Sequence, residues 1–368
     1  MQQAPAAAPT LPFLLGSRLI WEKIGSKPFA IGGGIVDQEL DAVGYGAGVL
    51  MHISGTVTVG TATLVFNGRQ PFNLIMRAVL DTPGLSDPIA ISGDSLKIQD
   101  LLGRFLTIDR GMVDLPQQGG AATQNAYDAA NCVDLYPAIV ATNTWSLWYF
   151  LPFVRNVRDY RGIVPLGYRG ARTRVRLTPA AAADIATVPA NITANNLTVD
   201  FYQAFYTAPP AGVETPDTSW AIVFDEYTQG IPSVGAQTID LPVGGRILNI
   251  VHRVVINNAM DEADLGTQDL ILNRDKILDG VDHMMWAKIQ RERLMAPLPL
   301  GTIAYDREWA AADVPYNIGG ELREKDWIYS DEPVPLNNMT SILRVNTGTT
   351  LGTVAQIVTT IKRLVRVQ

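Results

Sequence analysis

The sequence predicts an all-β chain: two tandem jelly rolls of about eight strands each (a double jelly roll), every one carrying an inserted short helix. Three observations point there. First, a Gly-rich entry followed by a long period-two run occurs twice. Gly44-Tyr45-Gly46-Ala47-Gly48-Val49-Leu50-Met51-His52-Ile53 continues to Val59. Gly244-Gly245-Arg246-Ile247-Leu248-Asn249-Ile250-Val251-His252 continues to Ile256. Each follows an Asp-containing turn, at Asp41 and at Asp240. Second, the apolar residues lean to Val, Ile, Thr, Tyr, Phe and Trp in short runs, punctuated by 32 Gly and 23 Pro, which favours sheets joined by turns. Third, each half contains one helical period, followed by more strands. A duplicated, strand-rich unit without concentrated catalytic chemistry is a building block rather than an enzyme.

Composition narrows the classes. With 47% hydrophobic and 18% charged residues over 368 positions, the chain is globular and long enough for two or three cores. Its net charge of -7 supplies no overall basic footprint for nucleic acid. The single cysteine, Cys132, excludes an intrachain disulfide and a Cys-rich zinc site, and is expected in a core. Met1–Ala8 lacks a basic region and Leu11–Leu15 is too short for a signal core, so the chain is expected to fold in a reducing compartment. The most apolar window, Tyr136–Val154, includes Pro137, Asn143 and Pro152, and is read as two buried strands rather than a membrane helix.

Residues 1–25 read as an N-terminal arm, Pro/Ala-rich and then anchored by Leu11, Phe13 and Leu14. The first jelly roll is expected over 26–207. Val49, Met51, Ile53, Val57 and Val59 alternate with polar residues, as a half-buried strand does. Strands are also expected at Thr61–Phe66, Tyr136–Val140, Trp145–Val154, Thr173–Leu177 and Leu197–Tyr202, and Pro71–Leu80 is a further apolar stretch. The helix follows Ser92-Gly93-Asp94-Ser95, with Ile98, Leu101, Leu102 and Phe105 on one face. The stretch 208–218, with three prolines and no period, is the linker.

The second jelly roll is expected over 219–368. Its strands are Ala221–Phe224, Gln237–Leu241, Arg246–Asn257, Thr302–Tyr305, Trp327–Ser330, Ser341–Val345 and Ile357–Val367. Its helix is expected from Asp275, with Ile277, Leu278, Val281, Met284, Met285 and Ile289 as the apolar face and Arg291 and Arg293 near its end.

With these duplicated strand patterns, one helix per half, the linker and the arm, residues 26–368 resemble the double jelly-roll major capsid proteins of membrane-containing icosahedral viruses, of the tectivirus type. The resemblance implies a structural, non-enzymatic role in the virion capsid after synthesis in the host cytoplasm. It implies homotrimers of pseudo-hexagonal outline that contact neighbouring capsomers, penton and minor capsid proteins, and an inner membrane lipid layer. It carries over no catalytic residue and no cofactor. The Ala/Val/Arg-rich composition fits a bacteriophage of a GC-rich host.

The residues offer little other chemistry. His52, His252 and His283 lack a His-x-His pair, which disfavours a two-domain metalloenzyme of the cupin kind; His283 is expected on the polar side of its helix. Asp261-Glu262-Ala263-Asp264 with Asp269 reads as a solvated loop, a cation at a subunit junction being the second reading. Gly32-Gly33-Gly34 has no following Lys-Ser/Thr and is a bend, not a phosphate loop. Asn191, Asn196 and Asn338 begin glycan triplets that have no meaning without secretion. Met284-Met285-Trp286 is helix packing, with Trp286 off the main face and toward a neighbouring subunit or the other roll.

One charge bias stands out. Arg155, Arg158, Arg161, Arg169, Arg172, Arg174 and Arg176 are opposed nearby in sequence only by Asp159. Contacts between subunits are favoured over intrachain pairs, with lipid headgroups next and nucleic acid last, since no aromatic platform accompanies them. Arg155, Arg158, Arg161 and Arg169, with Leu11, Phe13 and Leu14, are the candidate assembly residues. The competing function is a carbohydrate-binding double β-sandwich, a spike or lectin, which the Trp and Tyr content allows.

Overall fold

The computed structural model describes residues 12–60, 64, 66–67, 72–83, 85–103, 141–155, 159–167, 172–242, 245–256, 262–272, 275–294, 301–306, 339–352 and 354–367. Cys132, Phe105, Tyr136–Val140 and Trp327–Ser330 lie outside them. The first half runs α1 (Phe13–Gly16), β1 (Leu19–Phe29), β2 (Val36–Glu39), β3 (Tyr45–Val59), β4 (Ile75–Thr82), β5 (Leu85–Ile91), α2 (Gly93–Gly103), β6 (Ala141–Pro152), the short β7 (Val164–Pro165), β8 (Arg174–Pro179), α3 (Ala182–Ile185) and β9 (Ile192–Tyr206). The second runs β10 (Trp220–Gly230), β11 (Gly235–Asp240), β12 (Arg246–Ile256), β13 (Leu265–Leu272), β14 (Asp275–Asp282), α4 (His283–Leu294), β15 (Thr302–Asp306), β16 (Met339–Val345) and β17 (Ala355–Arg366).

The two halves share one topology. One sheet of the first roll is ordered β1-β9-β3-β6 and the other β2-β8-β4-β5; the second roll has β10-β17-β12-β15 and β11-β16-β13-β14. Leaving out β7, each roll therefore pairs its first, eighth, third and sixth strands, and its second, seventh, fourth and fifth. That is the jelly-roll wind, twice. Within a roll the ladders are antiparallel. Between rolls β5 lies parallel to β10, Ile89 opposite Phe224, which joins two four-stranded sheets into one of eight strands.

Alternation explains the cores. Along β3, Val49, Met51, Ile53, Val57 and Val59 are buried while Leu50, His52 and Ser54 are half-buried on the outer face. Leu197, Val199, Phe201 and Phe205 of β9 meet them. A second cluster, around Ile239, Ile250, Val254, Leu343, Ile357 and Ile361, fills the second roll. At 25–30 cal/mol per Å² of apolar surface, burial of this kind is the main force holding each sandwich.

The repeat is real, but its frame differs by one residue from the paired runs in the sequence. Gly44 (φ +55°) opens β3 against the Tyr206 carbonyl of β9, and Gly245 (φ +71°) opens β12 against the Leu364 carbonyl of β17. Each strand then has a bulge, between Gly46 and Gly48 and between Ile247 and Asn249. Gly48 thus corresponds to Asn249, Leu50 to Val251 and His52 to Arg253. Because side chains alternate faces, a one-residue slip sends them to the opposite side. His52 is on an outer face, whereas His252 is inside the second core beside Tyr305.

Several expectations need correcting. Residues 19–25, expected in the arm, begin β1, which pairs with β9 from Leu19 opposite Tyr206 to Phe29 opposite Leu197. The segment 275–282, expected as the start of a helix, is β14, hairpinned to β13. Backbone hydrogen bonds to β13 override its helical-looking period. The helix starts at His283, and Asp282, not Asp275, caps it: its Oδ1 accepts the Met285 N–H at 3.1 Å. Met284 and Met285 consequently leave the apolar face and are 62% and 53% exposed. Of the strand expected at Thr61–Phe66 only Leu64 and Phe66 are among the described residues; Phe66 forms an isolated bridge with Ala186, and the rest of that expectation lies outside them. β5 carries Pro88 and Asp87 at φ +40°, turn-like residues that hide it from periodicity.

Candidate functional site: the seam between the jelly rolls and the arginine segment

The inserted helix of the first roll lies between the two rolls. Asp94, Ser95, Ile98, Gln99 and Leu102 of α2 are all buried. Ile98 and Leu102 pack with Val251 of β12 and Ala304 of β15. Gln99 and Asn249 exchange two amide hydrogen bonds of 2.9 Å each, across 150 residues of sequence. This face of the second roll's sheet is thereby covered by the first roll.

A buried charge cluster lies at the N-terminal end of α2. Arg253 of β12 is 1% exposed. Its guanidinium donates to Asp94 and, at 2.5 Å, to Ser95 Oγ; Glu226 of β10 is 3.7 Å away. Glu226 Oε2 in turn accepts from the Ser92 hydroxyl at 2.8 Å and the Ser95 hydroxyl at 2.5 Å. One cation thus faces two carboxylates from different rolls, with hydroxyls supplying further hydrogen bonds. Beside the cluster a groove of about 910 Å³ runs between Met76, Arg77 and Ile91 of the first roll and Tyr227 and Leu241 of the second. Burial pushes the Tyr227 phenol up to about 12.

The arginine segment meets the same seam. Lys362 of β17, with 0% exposure, donates to the Arg155 carbonyl at 2.7 Å. Arg155 is itself only 3% exposed and pairs with Asp159 at 3.1 Å; Arg161 pairs with the same carboxylate. Burial works to raise Asp159, but the hydrogen bonds and charges of Arg161 and Arg155 outweigh it and hold the carboxyl below its ordinary value. Farther along, Arg172 pairs with Glu39 and Arg174 with Asp37, and Arg176 lies near Asp81 and Asp87. Distant strands thus bring in the counter-charges that the local sequence lacks, and the buried position of Arg155 is filled by its own chain. Arg158 and Arg169 lie outside the described residues.

The apolar anchor also binds its own chain. Phe13 is fully buried, with its ring 5.0–5.8 Å from those of Tyr45, Tyr160 and Tyr206, and Leu14 packs on the same cluster. Leu15 is 77% exposed, and Leu11 lies outside the described residues.

The remaining candidates resolve into structural roles. His52 stacks on Trp148 at 3.8 Å and contacts Ser146 Oγ at 2.8 Å. His252 is buried against Thr359, and burial lowers its pKa to about 3. His283, expected on a polar face, is the first residue of α4 and 1% exposed. Trp286 donates to the Ala304 carbonyl within its own roll. Asp269 is held by Arg344 at 2.9 Å and by the Gly280 N–H, and Asp264 accepts from Thr349 at 3.0 Å. Asp261 lies outside the described residues, among which there is no cluster of metal-ligating residues. Gly33 donates to Ala30 in a tight turn, as the bend reading expects. Sequence reasoning missed Arg253, Glu226 and Lys362; a charged residue in an alternating apolar strand was the available signal.

No family model matches the chain, and no curated protein matches it. Solved structures do. The major capsid protein of Sulfolobus Turreted Icosahedral Virus superposes with a TM-score of 0.64 at 11% identity, over 95% of this chain and 97% of the other. The PBCV-1 virus capsid protein gives 0.62 at 12% identity, over 98% and 95%. The major capsid protein P2 of bacteriophage PM2 gives 0.51 at 10% identity, over 95% and 98%. Both rolls and the seam between them lie within these matches. The chain has the double jelly-roll fold of viral major capsid proteins.

Proposed function

We propose that the chain is a viral major capsid protein, a homotrimer of pseudo-hexagonal outline that tiles an icosahedral shell. What carries this reading is the match of both rolls together, over nearly the full length of this chain and of known capsid subunits. The seam supports it: two rolls fixed as one unit by α2 and Arg253 form a rigid tile. The work is association, not catalysis, through interfaces on the order of 2,000–5,000 Å². Neighbouring capsomers, penton and minor capsid proteins and an internal lipid membrane are the partners, and the virion is the site of action.

Light scattering tests the subunit. The expected mass is 3 × 40.0 kDa, about 120 kDa, for a closed threefold ring. A stable monomer at micromolar concentration would overturn the reading. Images of particles containing the chain should show hexagonal capsomers over a lipid layer.

A further inference from the structure

One cross-strand row of the second roll is polar where its counterpart in the first roll is not. Tyr227 of β10, Thr359 of β17 and His252 of β12 stand opposite one another on three neighbouring strands. In the first roll the same row is Gly25, Phe201 and Met51, and the last two are fully buried apolar side chains. His252 Nδ1 lies 2.9 Å from Thr359 Oγ1, and Thr359 also bonds the Tyr227 hydroxyl. Tyr227 lines the groove beside the seam. The polar row therefore runs from that groove into the second core.

His252 is placed where a positive charge has nothing to meet it. It has 0% exposure, and its Nε2 has no hydrogen-bond partner among the described residues. Tyr305 of β15 faces the ring edge-on, with its hydroxyl bonded to Gln268 and Ser341 of the opposite sheet. Asp269 of β13 is held by Arg344 of β16. Asp225 and Asp240 act on Tyr227, and Arg363 holds Asp225. His283 of α4 is the remaining buried titratable group around this core. Burial alone keeps the His252 imidazole neutral, with no carboxylate contributing.

The next residue on each strand faces the other way and holds the seam. Arg253 donates to Asp94 and Ser95 of α2, and Thr360 is 3.0 Å from Ser95 and 3.3 Å from Arg253. Any shift of His252 and Thr359 in the core therefore moves Arg253 and Thr360 in the seam.

We propose that this row is an acid-operated release of the seam: a proton taken up by His252 disrupts its packing in the second core, shifts β12 and β17, and frees α2 from Arg253, while the first roll stays closed. The device lies within one chain and needs no second copy.

Hydrogen exchange on the full chain tests it, corrected for the intrinsic pH dependence of exchange. The open form binds the proton near pH 6.5 and the closed form only near 3, so the neutral imidazole's contribution is complete above 6.5 and lost as pH falls. Between about pH 7.5 and about pH 4.5, opening of β12, β17 and α2 is expected to rise about 100-fold, with β3 and β9 unchanged. His252→Met, which puts the first roll's residue in the row, is expected to abolish the rise. If that variant misfolds, His252→Gln, neutral at every pH, must abolish it instead. A rise that persists without the imidazole makes Asp94 and Glu226 the acid sensors and overturns the proposal. Equal opening of both rolls, or an acid response of β12 that leaves α2 unmoved, overturns it as well.

Discussion

His252 shows how a single buried side chain ties stability to pH. It sits in the second core with Nδ1 2.9 Å from Thr359 Oγ1 and its ring edge-on to Tyr305. Its folded pKa, about 3, lies below the unfolded value near 6.5, so the unfolded chain binds the proton more readily. The stability this neutral imidazole contributes is complete above about pH 6.5 and falls as pH drops toward 3, by at most about 1.4 kcal/mol per pH unit. His252→Gln should flatten the fall in melting temperature between pH 6.5 and 4 relative to wild type. Parallel curves would show that acid acts elsewhere. His52, a residue of the matching run, is turned outward by its strand and stacks on Trp148.

At the scale of elements, α1 is a four-residue helix with no side-chain cap, too short to form by itself. Phe13 holds it down, filling a small aromatic cluster on the outer face of the first sheet. Phe13→Ala should undock it, at a cost of about 3–5 kcal/mol of local packing. Limited proteolysis should then cut near Leu15 while the jelly rolls resist, and resistance equal to wild type would refute the anchor. Helix existence was legible in both halves, yet the boundary of α4 was not. Residues 275–282 carry apolar positions that suit either period, and only pairing with β13 decides for strand. α2 was placed correctly, but nothing in its local pattern marks Asp94 and Gln99 as buried in the seam.

At the scale of the molecule, two sandwiches behave as one body because the seam joins them by a parallel strand pair, an apolar helix face and a buried charge cluster. Arg253→Met should remove the guanidinium that faces both Asp94 and Glu226, leaving a buried and a half-buried carboxylate without it, and should cost about 3–5 kcal/mol. Adding Asp94→Asn and Glu226→Gln should recover much of that loss in denaturant titrations, since the penalty lies in uncompensated charge. If the triple variant is no more stable than the single one, packing rather than charge dominates the seam.

The sequence by itself determined the all-β class, the duplication and one helix per half, because alternation and helical period are local properties that burial imprints on neighbouring residues. Val49 to Val59 and Leu197 to Phe205 announce their strands without reference to anything distant. Tertiary structure alone decided who meets whom. The counter-charges of Arg172, Arg174 and Arg176 come from strands 89 to 137 residues away. Asp94, which pairs with Arg253, lies 159 residues away in the other roll. Bulges at Gly46–Gly48 and Ile247–Asn249 set which face each histidine occupies. Register and edge pairing join segments remote in the chain, and a local pattern holds no record of its distant partner.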